Sequence, residues 1–296
     1  MSNSRSANAS LLALLLLTLI WSGNWIVMKV ATAYSGPFSF SALRYAGGTL
    51  VLFILLRLRG DKLAPPPLGP TLLIGLTQTS AFTALAQWAL VRGGAGKTAL
   101  LVYTMPFWTV LFARIWLGER LHPRQRASLL LAAAGLVLIL QPWDASVGLF
   151  SGTLALAGGV SWAAGTVAAK RLFARQGEGL SPLRLTAWQM LLGTIALVPL
   201  AVFVPEHPLV WSTPLVAALA YNVILASGLA WTLWLLVVQR LPAAVAGLSS
   251  LAIPLAGVLL AWALLGERPG RVEVVGIAVL AAGLVLLLRS GSARRA

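Results

Sequence analysis

Residues Pro106–Arg120 and Pro254–Arg268, 148 positions apart, spell nearly the same fifteen-residue segment, with eight identities from an opening proline to a closing Leu-Gly-Glu-Arg. The register extends in both directions. Arg92 matches Arg240, and Gly135-Leu-Val-Leu matches Gly283-Leu-Val-Leu. Toward the N-terminus the offset shrinks to 141, pairing Trp21 and Lys29 with Trp162 and Lys170, and to 145, pairing Pro37 and Gly48 with Pro182 and Gly193. The drift falls in gaps between apolar segments, as loop-length changes place it. The chain is thus read as a duplication with units 1–143 and 144–296. In a membrane protein that is chiefly a transporter signature.

The bilayer follows from composition. Of 296 residues 59% are hydrophobic and only 10% charged, against about 25% charged in a soluble domain. A net charge of +15 raises nucleic acid as a partner, but the basic residues sit in short gaps between apolar runs and form no continuous face. They read instead as topology determinants. With no cysteine, disulfides and thiolate metal sites are excluded. The N-terminus half-resembles a secretory signal, yet its apolar run is too long and its Trp21–Lys29 portion belongs to the duplication. It is expected to remain as a first helix.

A spanning helix needs about 20 mostly apolar residues. That rule predicts an all-α integral membrane fold of ten helices, near Leu11–Ala31, Ser39–Leu56, Gly69–Leu90, Thr98–Leu117 and Ala127–Pro142, then Leu149–Ala169, Leu185–Val204, Leu215–Val238, Ala243–Leu265 and Val272–Leu288. Ten spans put both termini on one side. Fifteen Lys and Arg fall on that side and four on the other, which makes the side of the termini cytoplasmic. Five helices per unit is an odd number, so the second copy enters the membrane inverted. Two inverted five-helix repeats around a central cavity permit two related states, one open to each face.

Polar groups inside hydrocarbon are costly and face a cavity or another helix. Trp21, Asn24, Trp25 and Met28 share one face of helix 1; Trp162, Gly165, Thr166 and Ala169 form the matching face of helix 6. Either these tryptophans line a pocket, or they pack between helices or in an interfacial belt. Arg44 is the deepest charge, with Gln189 as its repeat mate. It either binds a carboxylate, locks two helices or snorkels to the interface. Gln78 in helix 3 and Tyr103 in helix 4 carry groups that must find partners beyond their own backbone. Pro106 and Pro254 fall mid-helix at equivalent positions, where a freed carbonyl allows a bend; they are gating elements or static packing kinks.

All seven carboxylates, Glu119 and Glu206 among them, fall in loops or at helix ends. A cation or proton carrier ordinarily keeps one within the membrane, so a neutral, zwitterionic or anionic solute is expected. Both histidines, His122 and His207, lie in loops, and no metal motif, intramembrane Asp pair or nucleophile elbow is present. Neither an enzyme nor a cofactor or metal site is expected.

With Ile20-Trp-Ser-Gly-Asn-Trp-Ile-Val-Met-Lys29, Pro37-Phe-Ser-Phe-Ser-Ala-Leu-Arg44-Tyr45 and the two Pro…Leu-Gly-Glu-Arg segments in order, the chain resembles the drug/metabolite transporter superfamily, in its ten-helix EamA-type branch. The resemblance spans nearly the whole chain. It implies a multi-pass protein of a bacterial inner membrane, exporting small metabolites, frequently amino acids. Exporters of aromatic amino acids are among those it is similar to; hydrophobic drugs are the alternative cargo. The implied partners are that small-molecule substrate and the lipid bilayer.

Overall fold

In lipid every backbone polar group must find its partner within the protein, which leaves helices as the choice for apolar segments of this length. The computed structural model describes residues 2–92, 101–141, 148–265 and 269–292, and among them there is no strand. The helices are α1 (Ser2–Ala31), α2 (Pro37–Leu58), α3 (Leu68–Ile74, a π-helical segment Gly75–Ala81, then Phe82–Arg92), α4 (Met105–Trp116) and α5 (Pro123–Leu140). The second half supplies α6 (Leu149–Gln176), α7 (Pro182–Phe203), α8 (Thr213–Tyr221, a π-helical segment Asn222–Leu229, then Ala230–Arg240), α9 (Ala243–Ser249 and, past a break, Ala252–Leu265) and α10 (Arg271–Ser292). Seven of them, all but α3, α4 and α5, are long and apolar enough over their described residues to cross a membrane. Leu50, Ile54 and Ile195 are largely exposed on the outside, as lipid-facing side chains are.

Sequence sets where these helices begin. Pro37 and Pro182 occupy the first turn of α2 and α7, where a missing N–H costs nothing. Ser181 caps α7 by accepting from the Arg184 amide. Gly36 offers α2 no side-chain cap, and a carboxylate from the far half of the sequence supplies it. Glu206 accepts from the Phe38 amide at 2.6 Å, and from the Ser39 amide and hydroxyl at 2.9 and 2.8 Å.

The two prolines of the repeated segment correct an expectation. Neither sits mid-helix. Pro106 lies in the first turn of α4, just after the turn at Tyr103–Thr104, and Pro254 follows the break at Ser250–Leu251. Each proline removes one i→i−4 bond and crowds the preceding carbonyl, so the chain upstream turns through i→i+3 bonds such as Thr104 to Leu101 and Leu251 to Leu248. The expected continuous helix 9 is therefore two pieces.

Packing follows the duplication. α1 lies against α8 and α9, as α6 lies against α3 and α4; α2 packs on α7 and α8, as α7 packs on α2 and α3; α4 crosses α9 and α5 runs along α10. Exchanging each helix for its repeat mate returns these contacts. Small residues set the closest approaches. A Cβ on Gly135 would meet the Leu280 nitrogen at 2.5 Å and the Gly276 carbonyl at 2.8 Å, so α5 and α10 touch backbone to backbone. Ser128 joins that seam by donating to the Gly283 carbonyl at 2.7 Å. On the other seam, Gly193 of α7 admits Thr79 and the Gly75 carbonyl of α3, while its mate Gly48 of α2 admits Ser227 of α8, the mate of Thr79.

Candidate functional site

The π-helical segments of α3 and α8 fall at matching repeat positions, and such segments recur at functional sites. In each segment one carbonyl is taken by the neighbouring half, that of Thr77 while it also accepts from the Phe82 amide of its own helix. Ser161 of α6 donates to the Thr77 carbonyl at 2.8 Å, and Trp21 Nε1–H of α1 donates to the Ala226 carbonyl at 3.1 Å. These bonds aim the aromatic face of α1 inward. Trp21, Trp162, Trp231 and Trp234 form one cluster, with ring centroids 5.2–6.3 Å apart. Phe82 stacks on Trp162 at 4.8 Å and Tyr45 on Trp231 at 6.1 Å. Each such pair is worth about 0.5–1.5 kcal/mol beyond its buried area.

Above this cluster lies a cavity of ≈ 110 Å³, space for roughly eight waters at ~10–15 Å³ each. Its walls come from both halves. Trp21, Asn24, Arg44, Tyr103 and Trp162 line it, joined by Tyr45, Phe82, Gln87 and Trp231 among others. The lining residues lie toward the end of the bundle where α1 finishes and α2 begins.

Arg44 is the one charged side chain among the described residues of that wall. It is 8% exposed. Its guanidinium donates to Asn222 Oδ1 at 3.0 Å and to the Tyr45 hydroxyl at 2.8 Å, with its carbon 4.4 Å from the Tyr45 ring centroid. Tyr45 in turn pairs with Thr83 at 3.1 Å. Every one of these partners is neutral. Among the described residues the sole ion pair is the exposed Arg59–Asp61 contact at 3.8 Å. A buried charge without a counter-ion is expensive, and it leaves this wall of the cavity positive. Asn24 Nδ2 and Arg44 Nη1 converge on the Met28 sulfur, at 3.2 and 3.7 Å.

Other expected site residues lie elsewhere. Gln78 is fully buried and donates to Thr166 at 2.9 Å; Thr166 also bonds the Trp162 carbonyl; Gln189 accepts from Thr79 at 3.0 Å. All three are packed between α3, α6 and α7 and do not line the cavity, because Gly165 and Gly193 let those helices close upon them. The side chain of Trp25 lies outside the described residues. Sequence reasoning missed Tyr45 and Phe82 as lining residues; their spacing alone gave no signal, since aromatic residues are equally at home in packing.

The opposite end of the bundle is closed. Glu119, just past α4, accepts from the Ala243 and Ala244 amides at 2.8 and 3.0 Å, holding the start of α9. Lys170 donates to the Gln239 carbonyl at 3.0 Å, and Gln239 to the Leu180 carbonyl at 3.1 Å. Thr109 of α4 nests against Gly247 of α9.

The profile of the EamA-like transporter family matches this sequence twice, over residues 8–141 and 149–289. Full-length relatives agree. "Uncharacterized transporter YoaV" of Bacillus subtilis is 23% identical over 93% of this chain and 95% of its own length. A "probable terminal-alkyne amino-acid exporter" of Streptantibioticus cattleyicolor is 29% identical over 96% and 94%. "Uncharacterized inner membrane transporter YedA" of Escherichia coli K12 is 24% identical over 93% and 89%. A solved crystal structure superposes with a TM-score of 0.81 at 23% identity, covering 98% of both chains, so the fold is shared.

Proposed function

Because the chain belongs to the EamA-like transporter family, it is a multi-pass membrane transporter and not an enzyme, and we propose that it exports small metabolites, foremost neutral and aromatic amino acids. One observation carries the choice of cargo. The cavity between the halves presents a buried Arg44 with neutral partners beside a wall of tryptophan, phenylalanine and tyrosine. A free carboxylate answers the first and an apolar side chain the second. The amino-acid exporter among the relatives supports the same class.

Transport proceeds by alternating access between two inverted five-helix repeats. Support comes from the mate-for-mate helix contacts, the paired π-helical segments and the two breaks ahead of Pro106 and Pro254, where each half bends. The membrane is the bacterial inner membrane, with both termini cytoplasmic, on the strength of the basic-residue asymmetry and the inner-membrane relative. The end of the bundle at α1–α2 is then periplasmic, and the conformation described is open toward it.

Counterflow in proteoliposomes tests the assignment. Aromatic and other neutral amino acids exchange across the wild-type protein, and Arg44→Gln lowers that flux at least tenfold while the protein still purifies as a single species. No counterflow with any amino acid refutes the cargo. Efflux of hydrophobic drugs is the competing reading, favoured by the aromatic walls alone; a drug panel that blocks no amino-acid exchange removes it.

A further inference from the structure

We propose that a second cargo cavity, closed in this conformation, opens toward the α4–α5 end of the bundle and is lined by Gln78, Gln189, Met190, Trp234, Leu235 and Leu251. It rests on the alternating-access reading above and adds to it a named site. The repeat register carries the assignment. Ala226, Arg44, Tyr45, Ala86, Gln87 and Tyr103 line the present cavity, and their mates in the other half are those six residues, at offsets of 148 in α3/α8 and α4/α9 and 145 in α2/α7. Where the first set meets open space, the second set is sealed. All six mates are 0% exposed, against 1–8% for Ala226, Arg44, Tyr45, Gln87 and Tyr103.

Unpartnered atoms mark the same place independently. Buried side-chain atoms without a hydrogen-bond partner are rare in folded proteins and call for an explanation. Among the described residues eight such atoms occur: Asn24 Oδ1 and Arg44 Nε line the present cavity, Thr49, Arg184 and Ser227 hold one each elsewhere, and the other three are Gln78 Oε1, Gln189 Nε2 and Trp234 Nε1. All three belong to mates of cavity-lining residues. A packing role does not need them: a methionine or leucine would fill the same volume without an orphan. In the open form of this second cavity, water or cargo satisfies them. The tryptophan cluster joins the two sites, since Trp21 and Trp162 are each other's mates and both line the present cavity. The headgroup reader changes sides with the state. Arg44 supplies a charge to the first cavity, and Gln189 supplies an uncharged amide to the second.

The native chain has no cysteine, so single cysteines can be read without background. Gln87→Cys, Leu235→Cys and Gln189→Cys are placed in the full-length protein, in sealed vesicles of both orientations, and exposed to a membrane-impermeant methanethiosulfonate reagent. Gln87→Cys reacts from the α1–α2 face, and Leu235→Cys and Gln189→Cys react from the α4–α5 face, more than tenfold faster than from the other. Arg124→Cys, in the exposed start of α5, reports the reagent's access to that face. Inert Leu235→Cys and Gln189→Cys in vesicles where Arg124→Cys is saturated overturn the proposal, as does reaction from the α1–α2 face. Labelling needs no cargo, so absent amino-acid flux would refute the substrate and leave this site standing. Should a cysteine variant not fold, Trp234→Phe keeps an aromatic ring and removes the orphan N–H. It raises the KM for cargo loaded at the α4–α5 face at least threefold and leaves the KM at the α1–α2 face unchanged; an equal change at both faces, or none, overturns the assignment of Trp234.

Discussion

Breaking the Glu119 clasp should unbalance the two access states by an amount the structure sets. Both carboxylate oxygens are engaged, by the Ala243 amide at 2.8 Å and the Ala244 amide at 3.0 Å, at the N-terminus of α9 where free N–H groups and the helix dipole favour negative charge. A shielded bond to a charged group contributes about 1.5–3 kcal/mol. Glu119 is half-buried and its bonds compete with water, so about 2 kcal/mol for the pair is the working figure. An opening at the α4–α5 end must separate α4 from α9 and lose those bonds. Removing about 2 kcal/mol from the closed side multiplies the open population roughly 30-fold, at 1.4 kcal/mol per factor of ten. The assay is the methanethiosulfonate rate at Leu235→Cys from the α4–α5 face. Glu119→Ala should accelerate it roughly 30-fold, and Glu119→Gln, which keeps one acceptor oxygen and loses the charge, by roughly 5-fold. An unchanged rate in Glu119→Ala, with the protein monodisperse, refutes the reasoning. A lowered Tm with an unchanged rate refutes it too, since the bonds would then hold the fold in both states alike.

Further outcomes are equally definite. Gly135→Ala should lower stability by about 1–3 kcal/mol, because the added Cβ meets backbone atoms that cannot move aside; a Tm equal to the parent's would deny the α5–α10 contact. Gly257→Ala, where no atom of the described residues lies within 4 Å, should be neutral or stabilising by up to about 1 kcal/mol, and a drop in Tm would show a neighbour there. Trp234→Phe removes a buried unsatisfied donor, a gain of about 1–3 kcal/mol that offsets the cavity left by the smaller ring, so Tm should stay near the parent's; a loss of about 3 kcal/mol or more would mean the indole N–H has a partner. Glu206→Ala uncaps α2 and should cost about 1–2 kcal/mol, read in the same melting experiment.

Much of this was legible before any coordinates. Apolar run lengths located the helices, because lipid leaves the backbone no other solution. The repeated register pairs the helices by sequence alone, and the need of polar or amphipathic groups at that depth for a partner or a void singles out Trp21, Asn24, Arg44 and Tyr103, which line the cavity. What sequence could not separate was a polar group facing a void from one closed over by a neighbour. Gln78 closes against Gly165 and Gln189 against Gly75, whereas the repeat mates of those two glycines are Asn24 and Val223, and such closure is a property of helix pairs. The π-helical segments depend likewise on side chains arriving from α1 and α6. The caps by Glu119 and Glu206 join residues 124 and 168 positions apart, beyond any local pattern. Pro106 and Pro254 were found by identity but misjudged in place, since a proline ends the turn before it as readily as it bends one.

The unlike pair Arg44 and Gln189 reaches beyond the geometry of either half. A passive carrier is bound by detailed balance: whatever tighter grip the arginine side gives must be returned, factor for factor, in how far the loaded and the unloaded equilibria between the two forms differ. The divergence of that one position can therefore make half-saturation differ between the two faces of the membrane. It can never, by itself, decide which way the cargo flows.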